Sequence, residues 1–239
     1  MNKMQKSSVN EIRERFQNDV ERFSNLETGQ VSVIDAAIAL ELGTEAAKRL
    51  VPQAKNLLDI GCGAGNWTLK MLRHIPDMNC TLLDISDAML AKAFERVSGA
   101  TSEKVNVIHS DIRSADLGEK KFDIIIAGAS LHHLREDGEW EAVFEKLGKA
   151  LVPGGCFVIS DLVLQNSPVL TELTYQGWAR YLEEAGGASF RDKILELSKK
   201  EDTPRPVNYL AMLLQKNGFT NIESLHKNMC FATLCAVKG

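Results

Sequence analysis

The chain lacks both a CxxC pair and an even set of cysteines: Cys62, Cys80, Cys156, Cys230 and Cys235 are scattered along it. Such spacing suggests neither a disulfide framework nor a zinc knuckle, and reduced cytosolic thiols are expected. No stretch approaches the roughly 20 apolar residues of a membrane span, and residues 1–16 are charged, without the apolar core of a signal peptide. A soluble cytoplasmic protein with no membrane association is expected. A large charge of one sign is also missing. The 28 Lys and Arg against 32 Asp and Glu give a formal charge of -4, which offers nucleic acid no net attraction. Internal repeats, low-complexity tracts and long linkers are absent too. What remains is an ordinary composition, 44% hydrophobic and 25% charged over 239 residues, enough for one sizeable core with appendages.

Ile12, Phe16, Val20 and Phe23 recur four, four and three apart, which predicts one amphipathic helix. A second helix is predicted over 35–50, after a turn signal at Glu27–Gln30, and Pro52 closes it. Residues 1–52 therefore read as a helical cap on an α/β domain over 53–239. In that domain short apolar runs at 57–60, 81–84, 105–108, 122–126 and 156–160 alternate with helical patterns at 66–75, 87–97 and 139–151. This β/α alternation predicts a mostly parallel sheet with right-handed crossovers. The LVPGG run at 151–155 reads as a helix stop and a turn into the fifth strand. A helical insert at about 165–205, as two helices over 169–184 and 190–199, precedes a helix opened by Pro206 and strands near 222–226 and 230–237. The insert is expected to pack on the strand ends, where open α/β sheets bind ligands.

The strongest local signal is LLDIGCGAGNWT over 57–68, a strand entering a glycine loop and then a helix. Gly61 and Gly63 let the backbone pass close to a ligand where a Cβ would clash. Gly61, Gly63 and Gly65 do not have the G-x-G-x-x-G spacing of a dinucleotide site. Asp59 lies within the strand, either serving the ligand or capping local amides. Asp84 ends the next strand, where a carboxylate meets ribose hydroxyls; its rival role, helix capping, suits Ser86 better. Asp111, in SDIR after the third strand, is suited to accept from an adenine amino group or to make an ordinary turn. Cys62, between two glycines, is expected to matter through its backbone rather than as a nucleophile.

His132 and His133 follow the fourth strand, and either imidazole could orient or deprotonate an acceptor. Adjacent histidines point different ways in extended or turn geometry, so one is expected in the site, His132. No carboxylate–histidine spacing accompanies them, and no metal is expected. His226 is assigned to packing or the surface of a terminal strand. Tyr175, Trp178 and Tyr181, three apart, form an aromatic stripe that reads as core or as ligand wall. Arg180 and Arg191 nearby could meet an acidic group or lie in solvent.

Taken in order, LDIGCGAG, LLDIS, SDIR, FDIIIAGASLHHL and LVPGGCFVISD over roughly 56–162 resemble the class I S-adenosylmethionine (SAM) dependent methyltransferases. The resemblance implies a Rossmann-like seven-stranded sheet with helices on both faces, an antiparallel last strand and a helical lid. It also implies SAM as cofactor, with Gly61–Gly63 beside its amino-acid part, Asp84 on the ribose hydroxyls, Ile85 and Met89 flanking it, and Asp111 with Ile112 at the adenine. Ala127 joins this set at the end of the fourth strand. The insert would roof an acceptor pocket, placing Tyr175, Trp178 and Arg191 near a small-molecule acceptor, with His132 as orienting group or base. A homodimer is compatible with this reading. The layout is also similar to the carboxy-SAM synthases of tRNA wobble-uridine modification: Arg191 falls near the place of their carboxylate-binding arginine, but Gly128 stands where they carry an asparagine. The remaining alternative is a SAM-binding domain without turnover.

Overall fold

In β1 (Asn56–Ile60), the period of two sends Leu58 and Ile60 to one side of the sheet and Leu57 to the other, yet all three are at most 1% exposed. A strand buried on both faces needs helices on both faces. The computed structural model, which describes residues 6–25 and 29–239, supplies them. α3 (Ala36–Leu50), α4 (Asn66–His74) and α5 (Asp87–Ser98) cover the face of Leu57, Leu82 and Ile124. α6 (Asp137–Ala150) and α8 (Val207–Lys216) cover that of Leu58, Ile125 and Phe157.

The seven strands are completed by β2 (Asn79–Asp84), β3 (Val105–His109), β4 (Phe122–Gly128), β5 (Leu151–Leu162), β6 (Phe219–Asn228) and β7 (Phe231–Lys238), in the order β3-β2-β1-β4-β5-β7-β6. Strands β1 to β5 pair in parallel, while β7 runs antiparallel to both neighbours. The mostly parallel Rossmann-like sheet with an antiparallel last strand thus follows from its residues. No helix of the described residues is long and apolar enough to cross a membrane.

Several elements depart from expectation for local reasons. The first predicted helix is two, α1 (Val9–Gln17) and α2 (Val20–Ser24). Asn18 stops α1 by bonding the Glu14 carbonyl through both its backbone and its side chain. The turn expected at Glu27–Gln30 falls partly outside the described residues. The 151–155 run is no free turn: Leu151 already pairs with Phe122, and the register shifts before Cys156 meets Ile124, so the extra residues form an irregularity at the start of β5. The two insert helices are joined as α7 (Pro168–Glu201), broken at Gly187, whose φ of 80° favours glycine.

α3 packs on the sheet, whereas α1 and α2 lie beside α5 and over the strand ends. The start and end of the lid are stapled together. Arg15 of α1 makes a two-pronged pair with buried Glu201 of α7, and the Ser7 amide donates to the Lys200 carbonyl at 3.0 Å. Trp178 of α7 anchors a satellite core with Leu182, Ile34 and Phe231, and its indole donates to the Ser32 carbonyl at 2.8 Å.

Candidate active site

The carboxyl ends of β1, β2, β4 and β5 open into one cavity of about 520 Å³, roofed by α1, α2 and α7. Its position is that of ligand sites in open parallel sheets. Gly61 and Gly63 form its floor. A Cβ on Gly61 would stand 2.5 Å from the Ser130 Cβ, at a φ of 62° that already favours glycine. Gly63 has nothing within 4 Å of the corresponding position. The loop thus lies flat against the segment that follows β4 on one side and presents bare backbone on the other.

Asp84 ends β2 with its two oxygens divided: Oδ2 accepts from the Gly63 amide and Oδ1 from the Ser86 amide, both at 2.9 Å. Burial drives its carboxyl above the usual range despite these amides. Each oxygen keeps lone-pair capacity toward the cavity, and Ile85 and Met89 line the wall beside it. Ser86, as its spacing suggested, caps α5 by accepting from the Met89 amide. Asp111 and Ile112 also line the cavity. The Asp111 carboxylate is gripped by Arg113, its Oδ1 accepting from Nε at 2.9 Å and its Oδ2 from Nη2 at 2.6 Å.

Asp59 and Ala127 lie away from the cavity wall. Asp59 turns to α4 and accepts from the Thr68 hydroxyl at 2.7 Å and amide at 3.2 Å, leaving Oδ1 buried without a partner. Burial pushes it up to about 7. Ala127 is packed in the core on the opposite face. Cys62 lines the cavity, but burial pushes its thiol well above the ordinary value, which disfavours the thiolate that a nucleophile requires. Of the aromatic stripe, Trp178 reaches the cavity, while Tyr175 and Tyr181 pack against the satellite core. Arg191 pairs on the surface with Glu183 at 2.6 Å and Asp192 at 2.8 Å, off the cavity wall. His226 bonds Asp35 at 3.0 Å and ties β6 to the start of α3.

The histidine pair departs from expectation. A short 3₁₀ turn, Leu131–His133, sets both rings against the cavity with centroids 4.3 Å apart. Two acids outside the set expected from the sequence organise them. Asp161 of β5 is 4% exposed and contacts His132 Nδ1 while accepting from the Leu131 amide at 2.9 Å and the Leu162 amide at 2.8 Å. Asp202, just past α7, sits 3.6 Å from His132 Nε2 and 3.4 Å from His133 Nδ1. Burial opposes a charge on His132, but Asp161 and Asp202 outweigh it and push the imidazole up to about 9. His133 is held well below its ordinary value by burial and by the charge on His132. Asp161 had a sequence signal, as the acid ending the VISD motif; Asp202 had none.

Flat glycine backbone, a divided carboxylate at the end of β2 and the Asp111 carboxylate beyond β3 thus border one cavity at the carboxyl ends of a Rossmann-like sheet. A family model described as a methyltransferase domain matches residues 57–155. The chain is 28% identical over 197 residues to a carboxy-S-adenosyl-L-methionine synthase of Vibrio atlanticus, covering 80% of each. It is 26% identical over 197 residues to a demethylmenaquinone methyltransferase of Listeria welshimeri, covering 80% of this chain and 82% of that one. The fold also matches the Burkholderia thailandensis 1,6-didemethyltoxoflavin-N1-methyltransferase solved with S-adenosylhomocysteine, with a TM-score of 0.63 and 16% identity over 97% of this chain and 91% of that one. With human N-acetylserotonin methyltransferase in complex with SAM the TM-score is 0.58 at 19% identity over 95% of this chain, which spans 56% of that longer one. Motifs, fold, matched domain and relatives together support a class I SAM-dependent methyltransferase.

Proposed function

We propose that the chain methylates a small, largely apolar acceptor bearing one protic group, held at the His132–Asp161 pair. The observation that carries this reading is the contrast within one cavity. Phe16, Phe23, Val33, Trp178 and Ile194 furnish an apolar wall, and the His132–Asp161 pair is a buried polar contact within it. Bound SAM supplies an electrophilic methyl group on a sulfonium. On this reading Asp84 takes the ribose hydroxyls, Gly61 and Gly63 border the amino-acid part, and Asp111 with Ile112 borders the adenine. Displacement at a sulfonium mainly requires alignment and exclusion of water, which the stapled lid favours. His132, oriented by Asp161, positions the acceptor's protic group.

Two observations support methyl transfer over carboxy-SAM synthesis. A Cβ on Gly128 would stand 2.1 Å from the Trp67 indole nitrogen, which leaves no room for an asparagine. Arg191 is engaged by Glu183 and Asp192 outside the cavity. An open acceptor cavity likewise supports turnover over binding alone.

Mass spectrometry of small molecules released from gently purified, denatured protein tests this reading, followed by a screen of hydroxylated aromatic acceptors for S-adenosylhomocysteine formation. SAM or its demethylated product is expected. A carboxylated SAM, or no binding on titration with SAM, overturns the reading. The His132→Ala variant is expected to lose about 100-fold in turnover, the scale of a proton-handling or orienting group, with SAM affinity unchanged by calorimetry. Equal turnover would remove His132 from the mechanism.

A further inference from the structure

Alignment of methyl and acceptor does not require a second histidine or a second acid, yet His133 and Asp202 converge on His132. We propose that His132, His133 and Asp202 bind one borderline divalent transition-metal ion of the Zn²⁺ kind at the acceptor wall of the cavity.

Each of the three residues offers one donor atom, and these donors lie within 4.8 Å of one another. Asp202 Oδ1 is 3.4 Å from His133 Nδ1 and 3.6 Å from His132 Nε2. Both separations exceed a good hydrogen bond. They are close to the edge of a ligand tetrahedron, about 3.3–3.4 Å for bonds of about 2.0–2.1 Å. The backbone sets this spacing: the 3₁₀ turn places the rings side by side, and the Thr203 amide donates to the His132 carbonyl at 2.6 Å, which holds Asp202 against them.

The second layer fits as well. Asp161 occupies His132 Nδ1 and leaves Nε2 facing Asp202, the carboxylate–histidine–metal arrangement that orients metal-binding imidazoles. Among the described residues, Asp202 has ion pairs with these two imidazoles alone, and Arg15 is committed to Glu201. A dication at His132 Nε2 would take the place of a proton there and meet the Asp202 carboxylate directly. Two nitrogens and one carboxylate select Zn²⁺, Co²⁺ and similar ions over Mg²⁺ or Ca²⁺. Three protein ligands lining a cavity leave a fourth position open, as in catalytic sites. Resting on the methyl-acceptor reading, that position would take the acceptor's hydroxyl and ease release of its proton to water.

The test is a Co²⁺ titration of the full chain after dialysis against chelator, read by visible absorption, with Zn²⁺ as competitor. One ion per chain with intense tetrahedral-type bands, displaced by Zn²⁺, is expected. Asp161→Asn should weaken binding about 10–100-fold, and Asp202→Asn and His133→Ala by at least as much. SAM affinity, measured on the same samples, reports that each variant is folded. It also separates failure of this site from failure of the methyltransferase reading. Absence of saturable binding, unchanged affinity in Asp202→Asn, or the near-ultraviolet band of a cobalt thiolate overturns the site.

Discussion

Replacing Asp161 with Ala should destabilise the fold by about 3–5 kcal/mol, because several buried donors lose their acceptor at once. Its Oδ2 receives the Leu131 amide at 2.9 Å and the His132 amide at 3.3 Å, while Oδ1 receives the Leu162 amide at 2.8 Å and contacts His132 Nδ1. Water cannot readily replace it at a residue 4% exposed. For a domain of this length such a loss lowers Tm by roughly 10 °C. Denaturant unfolding with an unchanged slope is the check. Asp161→Asn keeps the shape and one acceptor oxygen, so it should cost less than the Ala variant. If Asp161→Ala stayed within about 1 kcal/mol of the parent, below the cost of even one orphaned charged bond, the turn would not depend on this acid.

The Asp84→Ala variant should lose about 100-fold or more in SAM affinity while remaining folded. Hydrogen bonds to a charged group are worth about 1.5–3 kcal/mol each, and two of them lost together correspond to at least about two decades in Kd. Stability should suffer less than affinity, because burial already holds this carboxyl above its usual range and removal relieves a desolvated acid. Of the two amides it leaves behind, that of Gly63 borders the cavity, where ligand or water can reach it, while that of buried Ser86 loses its acceptor. Calorimetry against SAM, with thermal unfolding as the control, decides the matter. Unchanged affinity would remove Asp84 from the ribose site.

What could be read along the chain and what could not divides by the range of the interactions. Strands β1 and β4 were legible because Leu57, Leu58, Ile124 and Ile125 stand in short runs that need burial on both faces. The glycine loop and Asp84 were legible because the strand, the loop and the next strand's end are spaced by the geometry of one βαβ unit. The start of β5 was not: Pro153, Gly154 and Gly155 carry turn chemistry, and a pairing with Phe122 brings them into the sheet. The helix over Ile12 to Phe23 kept its apolar period across a break that the side chain of Asn18 makes. Asp202 was invisible because its closeness to His132 depends on the whole path of α7, including the bend at Gly187.

The place of β7 between β5 and β6 has a consequence for synthesis of the chain. All of β1 to β5 leaves the ribosome with the apolar edge of β5 uncovered, and β6 cannot cover it, because β6 reaches the sheet only through β7. Cys156, Phe157 and Val158 therefore wait for Cys235, Ala236 and Val237, nearly eighty residues later in translation. Until then the nascent sheet ends in an open strand that another chain can pair with. Completion of the fold is thus a late event, and the interval before it is when this protein most needs a chaperone.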